Sequence, residues 1–484
     1  MEREQKKRRG AYYTPEHVVR SLVKWAARKP SDRLLDPACG DGRFLTPHTN
    51  SVGVEEDAEA ARRVHERAPG SLIHQGDFFA WASRTQERFE CAAGNPPFIR
   101  YQRFTGSVRR EALSLCARHG ARFTALTSSW APFLVATATL LKRGGRMAFV
   151  VPAELGHAPY CRPLIEYLVG NFDDVRVIAV REKLFEELSE DCWLLAASGY
   201  GGSTKEISFC IESEFSFTPE PPRASRRVSL ADWRSWNFRL RPFVMRREAL
   251  ELYRETLASP LTSRLNELAH VGIGYVTGDN TFFHLSPSHA RTLGIPKSFL
   301  LPTVRSGRLL DSPSITAEKL KQWRDRDEPN FLLRIKTGDD MPSPVRKYLD
   351  SEEGRRAQRT YKCSHREPWY VVPDVRIPDG FLSYMTGSSP ALVLNQVGCT
   401  GANSVHLVNV ASRTPFTEIQ RLWSRPFTAL SCEIEGHPLG GGMLKLEPRE
   451  AGHVALSRIP FDSPEETRLI EEGIQTLTRW RHCA

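Results

Sequence analysis

Apolar positions in the first two hundred residues fall into two alternating rhythms. Val18, Val19, Leu22, Val23 and Ala26 recur at helical spacing. Before them, Thr14 reads as an N-cap, Pro15 as the first helical position and Glu16 as an acid in the first turn. Short apolar runs at 33–35, 51–55, 72–74 and 89–94 then predict four strands, with a helix over Ala58–Arg67 between the second and third. Residues 126–141 predict an amphipathic helix. The runs 147–151, 175–180 and 193–198 predict three further strands, the last two separated by a short helical segment around Phe185. Strands alternating with helices imply an α/β fold whose mostly parallel sheet is covered on both faces. Ligands of such sheets bind beyond the carboxyl ends of the strands.

The rhythm breaks at 218–227, where three prolines and three arginines make a linker-like stretch. The pattern therefore predicts one domain over 1–220 and a second over 221–484, the latter with short strand-like runs among Gly, Pro and Ser turns and no internal repeat.

Length and composition narrow the class. The 484 residues suffice for two or three domains, and 40% hydrophobic with 26% charged residues describes an ordinary water-borne protein. Neither a long apolar run nor a secretory signal is evident, so the cytoplasm of a prokaryotic cell is expected. The 10 cysteines form no C-x-x-C pair, which predicts neither structural zinc nor a disulfide framework. Net charge is +10 and sits unevenly. Residues 1–220 hold 30 Lys+Arg against 28 Asp+Glu, and residues 221–484 hold 37 against 29. A further cluster, Arg103, Arg109, Arg110, Arg118 and Arg122 against Glu111 alone, follows the fourth strand. Such surplus is what a phosphate backbone attracts.

Candidate chemistry gathers at the predicted strand ends. After the first strand comes Asp36-Pro37-Ala38-Cys39-Gly40-Asp41-Gly42, in which two glycines permit a tight turn and Asp36 offers a fixed acceptor. Glu55 ends the second strand, where an acid commonly holds ribose hydroxyls. Asp77 ends the third, followed by Phe78. A nicotinamide cofactor also uses a glycine turn and a second-strand acid, but the spacing is not G-x-G-x-x-G and a carboxylate beside the glycines suits an amine better than a pyrophosphate. That points to S-adenosylmethionine.

Asn95-Pro96-Pro97-Phe98 ends the fourth strand. An exocyclic nucleobase amine is a poor nucleophile because its lone pair is delocalised into the ring. The Asn95 side-chain oxygen and the Pro96 carbonyl form an acceptor pair able to hold both amine hydrogens and draw the nitrogen toward tetrahedral geometry. Prolines bring no competing N–H. Phe98 would stack on an extruded base, worth about 1 to 3 kcal/mol.

The ordered segments Gly10 to Pro15, Asp36 to Leu45, Val52 to Glu55, Gly76 to Phe79 and Asn95 to Phe98 resemble the motifs of gamma-class DNA adenine N6-methyltransferases of type II restriction-modification systems. Val276 to Phe282 and Gly440 to Pro448 resemble segments of that family's recognition domains.

The resemblance implies a class I S-adenosylmethionine-dependent methyltransferase domain, a doubly wound seven-stranded sheet, followed by an α+β target-recognition domain. It implies that Tyr13, Thr14, Asp36, Ala38, Gly40, Gly42, Glu55, Asp77, Phe78 and Asn95 bind the cofactor. Asn95, Pro96 and Phe98 would hold the target adenine. It implies no metal, duplex DNA as substrate, a cognate restriction endonuclease as functional partner and a monomer. Arg, Asn and Gln side chains of the second domain would read base edges, with Trp369 and Tyr370 packing in its core.

One departure stands out. Only nine residues separate Gly42 from Val52, so a helix after the glycine loop must be very short. Four alternatives stay open: cytosine N4 as acceptor, an amide in a protein, an RNA base, or a DNA-recognition subunit without activity. A fused nuclease is not expected, since Pro373-Asp374 lacks a following Glu-x-Lys pair.

Overall fold

The computed structural model describes residues 14–185, 191–439 and 441–481, which divide into two units, Met1–Val244 and Met245–Ala484. Tyr13, the predicted cofactor ligand, and Gly440 lie outside the described residues.

The first unit runs α1 (Glu16–Ala26), β1 (Leu34–Asp36), β2 (Ser51–Glu55), α2 (Ala58–Arg67), β3 (Leu72–Gln75), α3 (Phe78–Ala82) and β4 (Phe89–Gly94). It continues through α4 (Gly106–Arg118), α5 (Trp130–Thr139), β5 (Leu141–Pro152), α6 (Arg162–Asn171), β6 (Phe172–Val180), β7 (Cys192–Tyr200), β8 (Glu206–Glu212) and β9 (Arg226–Ser229). The strands form one sheet in the order β3-β2-β1-β4-β5-β7-β6-β8-β9. The first five strands in that order are parallel, and β7 runs against both β5 and β6. Seven strands were expected and all seven are present, extended to nine by β8 beside β6 and β9 beside β8.

Those two strands also explain why the division falls at Val244 rather than at 220. The linker-like stretch is laid down on the first unit. Thr218 donates its N–H to Ser21 Oγ and accepts from Trp25 Nε1, each at 3.0 Å, and Arg176 Nη1 reaches the Pro222 carbonyl at 2.7 Å. Arg226 to Ser229 then pairs antiparallel with β8. Prolines and arginines here mark an edge that is pinned, which composition does not distinguish from a tether.

Three helical expectations change. The expected amphipathic helix begins only at Trp130, and α5 is buried on every face from Trp130 to Ala138 because its sequence is apolar all round. No helix follows the glycine loop: residues 41–47 are turns, closed by Leu45 and Thr46 N–H groups donating to the Gly42 carbonyl. Nor is there a helix at 181–185, and 186–190 lie outside the described residues.

The second unit is α+β. Its largest sheet has five strands, with Val405–Val410 between Ala269–Ile273 and Gly380–Ser383. A four-stranded sheet contains Leu300–Val304 and Phe331–Leu333, and a three-stranded one joins Met385–Thr386 to the hairpin His437–Lys445. Among the described residues no helix is long and apolar enough to cross a membrane.

Candidate active site

Asp77, Glu55, Asp36 and Asn95 follow or end β3, β2, β1 and β4, which are consecutive neighbours in the sheet. All four therefore stand along one carboxyl edge. With strands about 4.8 Å apart the row spans about 15 Å, a length suited to an extended ligand with several polar groups.

The centre of the row is dry. Asp36 is 1% exposed; its Oδ1 accepts the Ala38 N–H at 3.2 Å, while Oδ2 is buried with no hydrogen-bond partner. Burial pushes its carboxyl up to about 8, aided by the charges of Glu55 and Asp41 and opposed by the Ala38 N–H. A buried carboxylate oxygen without a donor is costly. A ligand ammonium is the group that would satisfy it, and the amino-acid end of S-adenosylmethionine carries one.

Glu55 is placed differently. Its Oε2 accepts the Gly40 N–H and its Oε1 the Asp57 N–H, both at 2.8 Å, and burial raises its carboxyl. These bonds orient the carboxylate and tie the glycine loop to the end of β2. Gly40 has φ +55° and a Cβ there would meet nothing within 4 Å, so the turn presents open backbone to the site. Beneath it, Cys39, Leu45, Val64 and Ala68 form a small core of their own.

Asp77 caps α3, its Oδ1 accepting the Ala80 N–H at 2.8 Å. The resemblance implies that Phe78 binds the cofactor. Phe78 is 3% exposed and stacked on Phe133 with centroids 5.0 Å apart, so the ring is a wall of the core and not a stacking face.

At the end of β4, Asn95 Nδ2 donates to Thr14 Oγ1 at 3.2 Å, and Asn95 Oδ1 is buried without a partner. The amide thus carries one engaged donor side and one open acceptor. Thr14 does not cap α1, which begins after Pro15 with no side-chain cap. Pro96 is buried, and Phe98 is half-buried against the core under α1. The following loop is held by Ser129, whose Oγ donates to the Pro97 carbonyl and accepts the Ile99 N–H at 3.0 Å. Ser129 was not singled out from the sequence. The run Thr127-Ser128-Ser129 directly before an apolar segment is a helix-start signal that marks it. Behind it, Trp130 Nε1 donates to Tyr160 Oη at 2.8 Å and to Glu154 Oε1 at 3.1 Å.

Of the arginine cluster, Arg103, Arg110, Arg118 and Arg122 are exposed on and around α4, and Tyr101 in the preceding loop is exposed too. In the second unit Trp369 lies 5.6 Å from Phe282 between ring centroids and packs in the core, as expected.

Residues 239–480, half of the chain, match the family described as type II methyltransferase M.Eco57I, C-terminal domain, and residues 1–66 match N-6 DNA Methylase. The type II methyltransferase M.XamI of Xanthomonas campestris pv. amaranthicola is 25% identical, over 92% of this chain and 84% of that one. M.AccI of Acinetobacter calcoaceticus is 18% identical over 92% and 85%. The structure of the type IIL restriction-modification enzyme MmeI in complex with DNA aligns with a TM-score of 0.53 at 12% identity, covering 93% of this chain and 70% of that one. The last likeness is one of fold.

Proposed function

The chain belongs to the type II methyltransferases, as an adenine-specific N6 DNA methyltransferase of a restriction-modification system, and we propose that the Asp77–Glu55–Asp36–Asn95 row is its active site. The observation that carries this reading is the pair of buried, unpartnered oxygens on adjacent strands, Asp36 Oδ2 and Asn95 Oδ1. One suits a cation and the other an N–H donor, and S-adenosylmethionine with a base amine brings one of each.

Asp36 would hold the amino group of S-adenosylmethionine and Glu55 its ribose, with the open Gly40 turn between them. When bound, the cofactor supplies a methyl group on a sulfonium centre and leaves as a neutral thioether, so the protein needs no strong base. Asn95 Oδ1 and the Pro96 carbonyl would accept the two N6 hydrogens of the target adenine and localise its lone pair. Phe98 borders the same loop and would stack on the base. The adenine must leave the duplex to arrive there, at a cost of a few kcal/mol offset by stacking and phosphate contacts. Exposed Arg103 and Arg110, on the loop and helix that follow the run, would offer such contacts. The second unit would choose the sequence, and methylation would protect it from a cognate nuclease.

The test is radiolabelled methyl transfer to DNA by wild type and Asn95→Ala, followed by mass spectrometry of the nucleosides. Wild type should yield N6-methyladenine and Asn95→Ala should lose activity by a hundredfold or more while still binding DNA. Equal labelling by both proteins would remove Asn95 from the mechanism, and N4-methylcytosine in the digest would move the target to cytosine.

A further inference from the structure

We propose that Thr14 and Ser129 are positioning residues for the target amine, acting on Asn95–Pro97 from outside that run; the inference rests on Asn95 being the amine acceptor. Each sits where a helix begins, and neither makes the side-chain cap for which serine and threonine are usually selected at such places. Both hydroxyls turn instead to the segment 95–99, Thr14 to Asn95 and Ser129 to Pro97 and Ile99.

The chemistry explains why two hydroxyls are needed. An amide is nearly the same shape when flipped, but its two ends are opposite in hydrogen-bonding sense. Only with Oδ1 toward the adenine does Asn95 offer an acceptor. That orientation turns Nδ2 inward, where an unmet donor is costly, and Thr14 Oγ1 is the acceptor that meets it at 3.2 Å. The prolines pose a second problem. Pro96 and Pro97 have no N–H, so at those two positions the backbone can be anchored only through carbonyls. Ser129, 1% exposed, supplies such an anchor: it donates to the Pro97 carbonyl, accepts the Ile99 N–H, and donates its own N–H to the Ile99 carbonyl at 2.9 Å. Thr14 thereby holds the inward end of the acceptor side chain and Ser129 the backbone that follows it.

A cofactor role for Thr14 and this positioning role separate experimentally. Thr14→Val, Thr14→Ser and Ser129→Ala are compared with wild type for kcat at saturating cofactor and DNA, for cofactor dissociation constant by calorimetry, and for thermal melting. Positioning predicts that Thr14→Val and Ser129→Ala lose about tenfold to a hundredfold in kcat. It also predicts a cofactor dissociation constant within about twofold of wild type and near-complete rescue of the first by Thr14→Ser. Unchanged kcat with a weakened cofactor overturns the role for Thr14, as does an equal loss in the Ser and Val variants. Unchanged kcat in Ser129→Ala removes Ser129. Should Thr14→Val fail to fold, Thr14→Ala is read by the same criteria. An inactive Asn95→Ala beside a fully active Thr14→Val sinks this inference alone, whereas a fully active Asn95→Ala sinks the reading of Asn95 as well.

Discussion

Gly94 and Asp36 approach so closely across β4 and β1 that a Cβ on Gly94 would stand 2.7 Å from Asp36 Oδ1 and 3.2 Å from Phe149 Cε1. The residue before Asn95 therefore has to be glycine for the carboxylate to sit where it does. Gly94→Ala is expected to displace the buried Asp36 side chain, costing about 1 to 3 kcal/mol of stability as overpacking. It should also weaken the cofactor at least tenfold. Chemical denaturation and calorimetry on the one variant check both; a wild-type dissociation constant would show that Asp36 does not hold the ligand.

Asp36 also predicts a proton release. Its carboxyl is raised to about 8 from an ordinary 3.8, chiefly by burial, so at pH 7 it is largely protonated. An α-amino group is mostly cationic there. Seating that cation against Oδ2 favours the ionised acid, and up to about one proton should leave on cofactor binding at pH 7, read by calorimetry in buffers of different ionisation enthalpy. Asp36→Asn should release none. The same group makes the free protein less stable as pH rises from about 4 to 8, because over that window the folded state holds a proton that the unfolded chain has lost. The Asn variant should therefore melt higher than wild type near pH 8 while binding cofactor poorly. Equal proton release by the two proteins would refute the assignment.

The sheet-end chemistry was legible because each strand announced its own end. An apolar run stops at an acid or an amide, and the parallel order places those ends together. Residues acting from a distance in sequence were less visible. Thr14 has the pattern of a cap, and nothing local reveals that its hydroxyl is used by Asn95, 81 positions away. Ser129 was hidden inside a helix drawn too long, since apolar periodicity marks a helix interior better than its start. Phe78 shows the same limit: an aromatic after a strand-end acid fits both a ligand and a core, and Phe133, the ring it stacks on, is 55 residues further on. The boundary at 220 failed because β9 completes a sheet whose other strands precede it.

The stretch Arg355 to Arg366 carries five arginines or lysines and no acid, and Tyr361 stands 73% exposed among them. Arg366 is occupied with the carbonyls of Val276 and Thr277, each at 2.6 Å, and Arg356 lies 3.6 Å from Asp279. Arg355 is exposed with its Nη1 on the Asp350 carbonyl at 2.7 Å, and Arg359 and Lys362 are the exposed pair that would face phosphates. If they contact the DNA backbone, the double variant Arg359→Ala/Lys362→Ala should flatten the dependence of log K on log salt by about 1.8, at about 0.9 per phosphate. The loss should be similar for cognate and unrelated sequences. An unchanged slope in fluorescence anisotropy titrations would exclude this face.

Arg481 organises the end of the second unit around a buried ion pair. It is 2% exposed, and its Nε and Nη2 approach Glu433 Oε1 at 3.1 and 2.9 Å. Nη1 donates to the Gly442 carbonyl and, at 3.2 Å, to that of Gly387. Gly442 lies in the hairpin turn that resembles a recognition-domain segment, so one side chain couples that turn to the helix Pro464–Arg479 before it. Arg481→Met removes the guanidinium from a carboxylate that is itself 4% exposed, which should cost about 3 to 5 kcal/mol. Adding Glu433→Leu should recover much of that loss, because two apolar groups need no partner. Both variants remove the Arg481 Nη1 bonds to the Gly442 and Gly387 carbonyls. Hydrogen exchange at Met443 to Lys445 should therefore remain faster than wild type even where stability is restored. Exchange that returns to the wild-type rate in the double variant would show that the charge pair, and not the hold on the turn, is what Arg481 contributes.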